Sequence, residues 1–120
     1  MSYSDYLQSQ HWKNKRVEKL KSRNVCQICF SSENIHIHHK YYETKSGASI
    51  LYNEKITSLI TLCASCHSLW HKYFGINIKK PNKTILRIKR LIELGALKNK
   101  AFWVVANPEI YKSIYQKKVI

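Results

Sequence analysis

Cys26-Gln-Ile-Cys29, then Ile35-His-Ile-His-His39, then Leu62-Cys63-Ala-Ser-Cys66-His67-Ser-Leu-Trp-His71 is the stretch that decides how this chain folds. Each C-x-x-C sets two thiols on one turn, a spacing that suits metal ligation, and four thiolates match the tetrahedral preference of one structural zinc. Disulfides in a secreted protein are the other reading of four cysteines; the tight pairing favours zinc. Between Cys29 and Cys63 lie 33 residues, more than a zinc ribbon uses. That insert must fold as a unit of its own, with its two ends clamped by the ion.

Within the insert, Ile35 to His39 alternates and is β-rich, which predicts a strand, and Ser58 to Leu62 offers a short strand to pair with it. Neighbouring strand residues face opposite ways, so His38 and His39 do not readily serve one ion. One is expected to ligate while the other handles a proton. His67 and His71 are four residues apart, one helical turn on one face, and can grip one divalent ion together. Alternatively, one of them completes the zinc site in place of a cysteine, or His71 is a surface residue. His36 shares the face of His38 and is expected to be solvated or to stand behind the ligands.

Outside the insert the elements are mostly helical. Asp5 is expected to cap a helix that carries Tyr6, Leu7, Trp12, Arg16, Val17 and Leu20 and ends at Asn24. Lys40 to Thr57 is polar, contains Gly47 and has no period, which predicts a long loop. Ser65 to Phe74 has helical spacing that stops at Gly75. Pro81 opens an amphipathic helix through Leu86, Ile88, Leu91, Ile92 and Leu94, and Asn107-Pro108 opens a last one with Ile110, Tyr111 and Ile114. Ala101 to Ala106 reads as a short strand. Trp12, Trp70 and Trp103 are expected in the core rather than stacked on bases.

A chain of 120 residues with 44% hydrophobic content can build one compact domain, and a metal staple helps a core of that size. Lys and Arg number 21 against 7 Asp and Glu, a formal net charge of +14. Such a balance favours a polyanionic partner, because neutralising phosphates releases condensed counterions; a merely solubilising surface is the bland reading. Arg16 and, off the apolar stripe of the helix after Pro81, Lys83, Arg87, Lys89 and Arg90 are the candidate nucleic-acid contacts. They would read phosphate rather than base identity. No secretion signal is visible and the apolar runs are too short to span a bilayer, so a cytoplasmic location without a membrane partner is expected.

The C-x-x-C, the strand ending in His38-His39, the run Leu59-x-x-Leu62-Cys63-x-x-Cys66-His67 and the final His71 together resemble the HNH endonuclease family, nucleases of the ββα-metal fold. This resemblance spans Tyr6 to about Tyr73 and includes Tyr6, Leu7, Ser9, Trp12 and Arg16 of the first helix; the tail beyond Gly75 lies outside it. It implies an α+β fold: a small ββα-metal core with a structural zinc on Cys26, Cys29, Cys63 and Cys66, flanked by N- and C-terminal helices. Residues 1–75 would form the nuclease domain, and residues 76–120 a basic helical extension packed on it. His38, His67 and His71 then match ligands of a catalytic divalent ion, and His39 the general base. Where the family carries Asn or Asp to orient that base, this chain has Ser58, which is shorter in reach; Asn53 from the loop is the substitute.

A neutral imidazole can take a proton from water near pH 7, while a bound cation stabilises the charge developing on a phosphate. Histidine ligands suit Mn²⁺, Ni²⁺ or Zn²⁺ as well as, or ahead of, Mg²⁺. The expected function is therefore metal-dependent hydrolysis of phosphodiester bonds in DNA, with double-stranded DNA, held mainly through its phosphates, as the expected partner. A non-catalytic zinc-knuckle nucleic-acid-binding module, or a nuclease subunit of a defence or mobile-element complex, are the alternatives. A protein partner or a dimer is left open.

Overall fold

The computed structural model describes residues 2–44, 46–75, 78 and 80–119, with side chains to residue 114 at the C-terminal end. Among these residues it is a small α+β protein with six helices and one two-stranded antiparallel sheet. The chain begins with two helices rather than the single one expected from Asp5. In α1, Tyr3–Leu7, Ser2 is the cap: its hydroxyl accepts the Asp5 N–H, and Asp5 returns a bond to the Ser2 N–H. Ser9 then separates α1 from α2, Gln10–Ser22, by donating to the Tyr6 carbonyl at 2.6 Å while accepting the Trp12 N–H at 3.1 Å. A serine so placed offers the backbone a local alternative to a continuous helix. The second helix stops before Asn24, with Arg23 already extended.

The sheet pairs β1, Ile35–His39, with β2, Leu59–Cys63, and His38 lies opposite Ile60, His39 opposite Leu59. The second strand starts one residue later than expected because Ser58 closes a 3₁₀ turn, Ile56–Ser58. Alternation along β2 splits the interior in two. Ile60 and Leu62 join a main cluster with Cys26, Cys66, Trp70, Ile88 and Phe102, while Leu59 joins Tyr6 and Trp12 on the other side. Thr61 is buried yet satisfied: its hydroxyl donates to the Arg23 carbonyl, and its N–H donates to the Gln27 side chain.

Helix α3, Ala64–Phe74, follows β2 directly and ends at Gly75, whose φ of +68° is a conformation glycine adopts without cost. Helix α4, Pro81–Glu93, begins with proline in its first turn, where its missing N–H is not needed. Ala101 to Ala106, expected as a short strand, is instead helical: Ala101–Val105 form most of α5, Lys98–Val105, and Ala106 caps it. Ala101, Phe102, Val104 and Val105 are buried while Trp103 is 41% exposed, a spacing that fits one helix face rather than alternation. Trp12 and Trp70 are core residues as expected; Trp103 instead lies under the Lys100 ammonium at the surface. Helix α6, Pro108–Val119, ends the chain's described part. Ile85, Ile88 and Leu91 of α4 share the main cluster with Trp70 of α3, so the C-terminal helices complete the core that holds the cysteines.

Candidate metal centres

Cys26 and Cys29 sit on a turn after α2, closed by the Phe30 N–H on the Cys26 carbonyl and by Phe30 at φ +65°. Cys63 ends β2 and Cys66 lies in the first turn of α3, where the Cys63 sulfur accepts the Cys66 N–H. All four sulfurs lie within 4.8 Å of one another, and none forms a disulfide. Cys29 and Cys63 are 3.7 Å apart; ligands about 2.3 Å from a tetrahedral zinc would be about 3.8 Å apart. This cluster can bind a zinc ion. A thiol contact from Cys66, helped by backbone N–H groups of Cys29, Cys63 and Ile28 and opposed by burial, pulls Cys26 down to about 4; the same contact pushes Cys66 up. Lys98 of α5 brings its ammonium within 3.8 Å of the Cys63 sulfur. Burial works to lower Lys98, and the charge of Cys66, Cys29 and Cys63 outweighs it, so its proton is held more tightly than usual.

The second cluster comes from two elements. His38 projects from β1 toward His67 and His71 on one face of α3, and the three can present one nitrogen each within 4.8 Å of the others. His67 and His71 Nε2 are 3.0 Å apart. Burial, then the neighbouring His67, His71 and His39, lowers His38 to about 3, and burial with His71 and His36 lowers His67. His38 Nε2 is buried without a hydrogen-bond partner, a state that a metal ion would relieve. His71 is exposed, so the cluster keeps an open side. His36 is also exposed and stacks on His67 at 5.7 Å, outside the converging set.

His39 points the other way, as strand alternation requires. Its ring stacks on Trp12 at 4.6 Å and 18°, and its Nε2 meets Glu54 Oε2 at 2.8 Å and the Tyr6 hydroxyl at 3.3 Å. Burial, then His11, lowers it to about 4. The residue expected to orient it does not do so. Ser58 is buried, but its hydroxyl donates to the Lys55 carbonyl at 2.6 Å, its short reach spent on the 3₁₀ turn. Asn53 is exposed, and the contact comes from the next residue, Glu54. Glu54 was not singled out from the sequence, although a carboxylate in a loop of so basic a chain was a usable signal. Burial raises Glu54 from the ordinary carboxylate range, and the N–H groups of Glu54 and Tyr52 counter that.

A groove of about 1060 Å³ runs between α2, β1 and the exposed end of α3, lined by Arg16, Trp12, His38, His39, His67 and His71 among others. Arg16 is thus brought to the histidines. Lys83, Arg87, Lys89 and Arg90 are not: they line a separate depression on α4. There Arg87 lies 4.5 Å over the Tyr111 ring, and Lys89 lies 5.3 Å over Phe30 of the first cysteine turn. Among the described residues, no helix is long and apolar enough to cross a membrane. Comparison with family models, curated proteins and solved structures returns no match for this chain.

Proposed function

We propose that this protein is a metal-dependent endonuclease that hydrolyses phosphodiester bonds in DNA, as the resemblance of its motifs to HNH nucleases implies. One observation carries the reading: His38 Nε2, buried and without a hydrogen-bond partner, faces His67 and His71 at the wall of an open groove that also holds Arg16. Buried polar atoms are normally satisfied, so an orphan among convergent imidazoles is the mark of a metal site. A divalent ion held there supplies charge stabilisation at the scissile phosphate. The protein's own residues do the rest. Arg16 attracts the backbone phosphate into the groove, and His39, which lines the same groove, accepts the proton of the attacking water. As the water oxygen bonds to phosphorus the P–O3′ bond breaks, and the departing oxygen takes a proton from solvent.

A second reading, a non-catalytic nucleic-acid-binding module built on the cysteine knuckles, draws on the burial of His39, which is only 2% exposed. Incubation of the zinc-loaded protein with supercoiled plasmid in Mg²⁺, Mn²⁺, Ni²⁺ or Zn²⁺ separates the two. Metal-stimulated nicking that disappears in His38→Ala is the expected result. DNA retention without cleavage in every metal would favour the binding module.

A further inference from the structure

We infer that Glu54 is the positioning residue for His39, and that the half-buried His11 fixes Glu54 in turn, so a His39–Glu54–His11 bridge sets the orientation and tautomer of the proposed base. The assignment of catalysis to His39 rests on the nuclease reading above; the bridge itself does not. Glu54 has a side chain with 0% exposure. One carboxylate oxygen lies 2.8 Å from His39 Nε2, the other 2.7 Å from His11 Nε2. The three residues come from β1, from the loop before the 3₁₀ turn and from the first turn of α2, so the carboxylate links three separate segments of the chain.

Several observations fix its role. A carboxylate removed from water is tolerated when donors surround it, and Glu54 has two imidazoles and the N–H groups of Tyr52 and Glu54 to satisfy it. This trio is not a third metal site: among the described residues the donor atoms that converge within 4.8 Å are those of the four cysteines and of His38, His67 and His71. Glu54 stands between its two histidines as a bridge. Because an ionised carboxylate only accepts, His39 Nε2 carries the hydrogen, which leaves Nδ1 as the basic nitrogen. Trp12, stacked at 18°, fixes the plane of the ring, and Glu54 fixes its rotation within that plane. Ser58, whose hydroxyl donates to the Lys55 carbonyl, and Asn53, which is exposed, are then free of this task.

The test uses the full-length, zinc-loaded chain and two independent readouts. Long-range ¹⁵N–¹H spectra of the imidazoles should show His39 as the Nε2–H tautomer in the wild type. In Glu54→Ala both tautomers should appear, and kcat for plasmid cleavage should fall about 10²-fold with KM nearly unchanged, the size of effect a misplaced base produces. Glu54→Gln keeps an acceptor oxygen and should recover most of the loss, while His11→Ala should reduce kcat only several-fold with the tautomer retained. An Nδ1–H tautomer in the wild type overturns the inference, as does an unchanged tautomer and kcat in Glu54→Ala. If Glu54→Ala does not fold, the wild-type tautomer and the Gln and His11 variants decide. Absence of cleavage in the wild type with every metal would defeat the nuclease reading, and the tautomer measurements would still judge the bridge.

Discussion

The two clusters of candidate ligands each bring their donor atoms within 4.8 Å of one another, yet they are built in opposite ways. The cysteines come from a turn after α2, from the end of β2 and from the start of α3, and Cys26, Cys63 and Cys66 belong to the main hydrophobic cluster. Beyond the core, hydrogen bonds of Thr61 with Arg23 and Gln27 join the first cysteine turn to β2, and an ion would clamp the two cysteine pairs together. The histidines come from β1 and α3, which the β1–β2 pairing and the α3 helix already place side by side. Their exposed edge, His71, opens onto the groove. A closed site made from scattered segments suits a structural ion; an open site made from prearranged elements suits a reactive one.

The sharpest way to break this contrast is to remove each site separately. Cys26→Ser, Cys63→Ser or a strong chelator should unfold the protein, because structural zinc contributes folding free energy on the order of 10 kcal/mol. Circular dichroism with metal analysis checks it. A folded, reduced and zinc-free chain would erase the distinction.

At the other cluster the fold should survive and the chemistry should not. His38→Ala should abolish capture of Mn²⁺ or Ni²⁺ measured by calorimetry, with an unchanged melting profile. His39→Ala should instead retain the ion and lose about 10²–10⁴-fold in cleavage rate, the usual contribution of a general base. Near-normal cleavage by His39→Ala at saturating metal would reassign the base.

A smaller effect concerns pH in zinc-loaded protein lacking the second ion. His38 is lowered to about 3 when folded, against a usual value of 6.5. The unfolded chain therefore binds the extra proton, so stability contributed by neutral His38 is present above about pH 6.5 and declines as pH falls toward 3. Urea titrations should lose about 2 kcal/mol between pH 7 and pH 5 from this residue. His38→Ala should flatten that slope; an identical slope would mean that His38 is not held neutral.

The smallest effect separates the two basic regions. Arg16→Gln should make the log–log salt dependence of DNA binding shallower by about 0.9, the slope for one phosphate contact. Arg87→Gln, on a side chain already engaged with Tyr111, should change it less. Equal changes would extend the proposed DNA surface from the groove to α4.

Much of this arrangement could be read from local pattern. C-x-x-C spacing brought its thiols together, i,i+4 spacing put His67 and His71 on one face, and strand alternation sent His38 and His39 apart. Gly75 and Pro81 marked helix boundaries because backbone conformation at those residues is a local property. The divided first helix was also written locally, in Ser2 and Ser9, and was missed because Asp5 is an equally good cap by type.

Only the tertiary structure decided three things. Ala101 to Ala106, β-branched enough for a strand, became a helix because its buried positions face α3 and α4. Ser58, to which the family resemblance gave an orienting role, turned its hydroxyl to Lys55. Glu54, 15 residues from His39 and 43 from His11, reached both only once a long loop had folded back. Periodicity specifies which residues share a face of one element; it carries no information on which groups from distant segments meet. In this chain the candidate ligands were set by the former, and the surroundings of the proposed base by the latter.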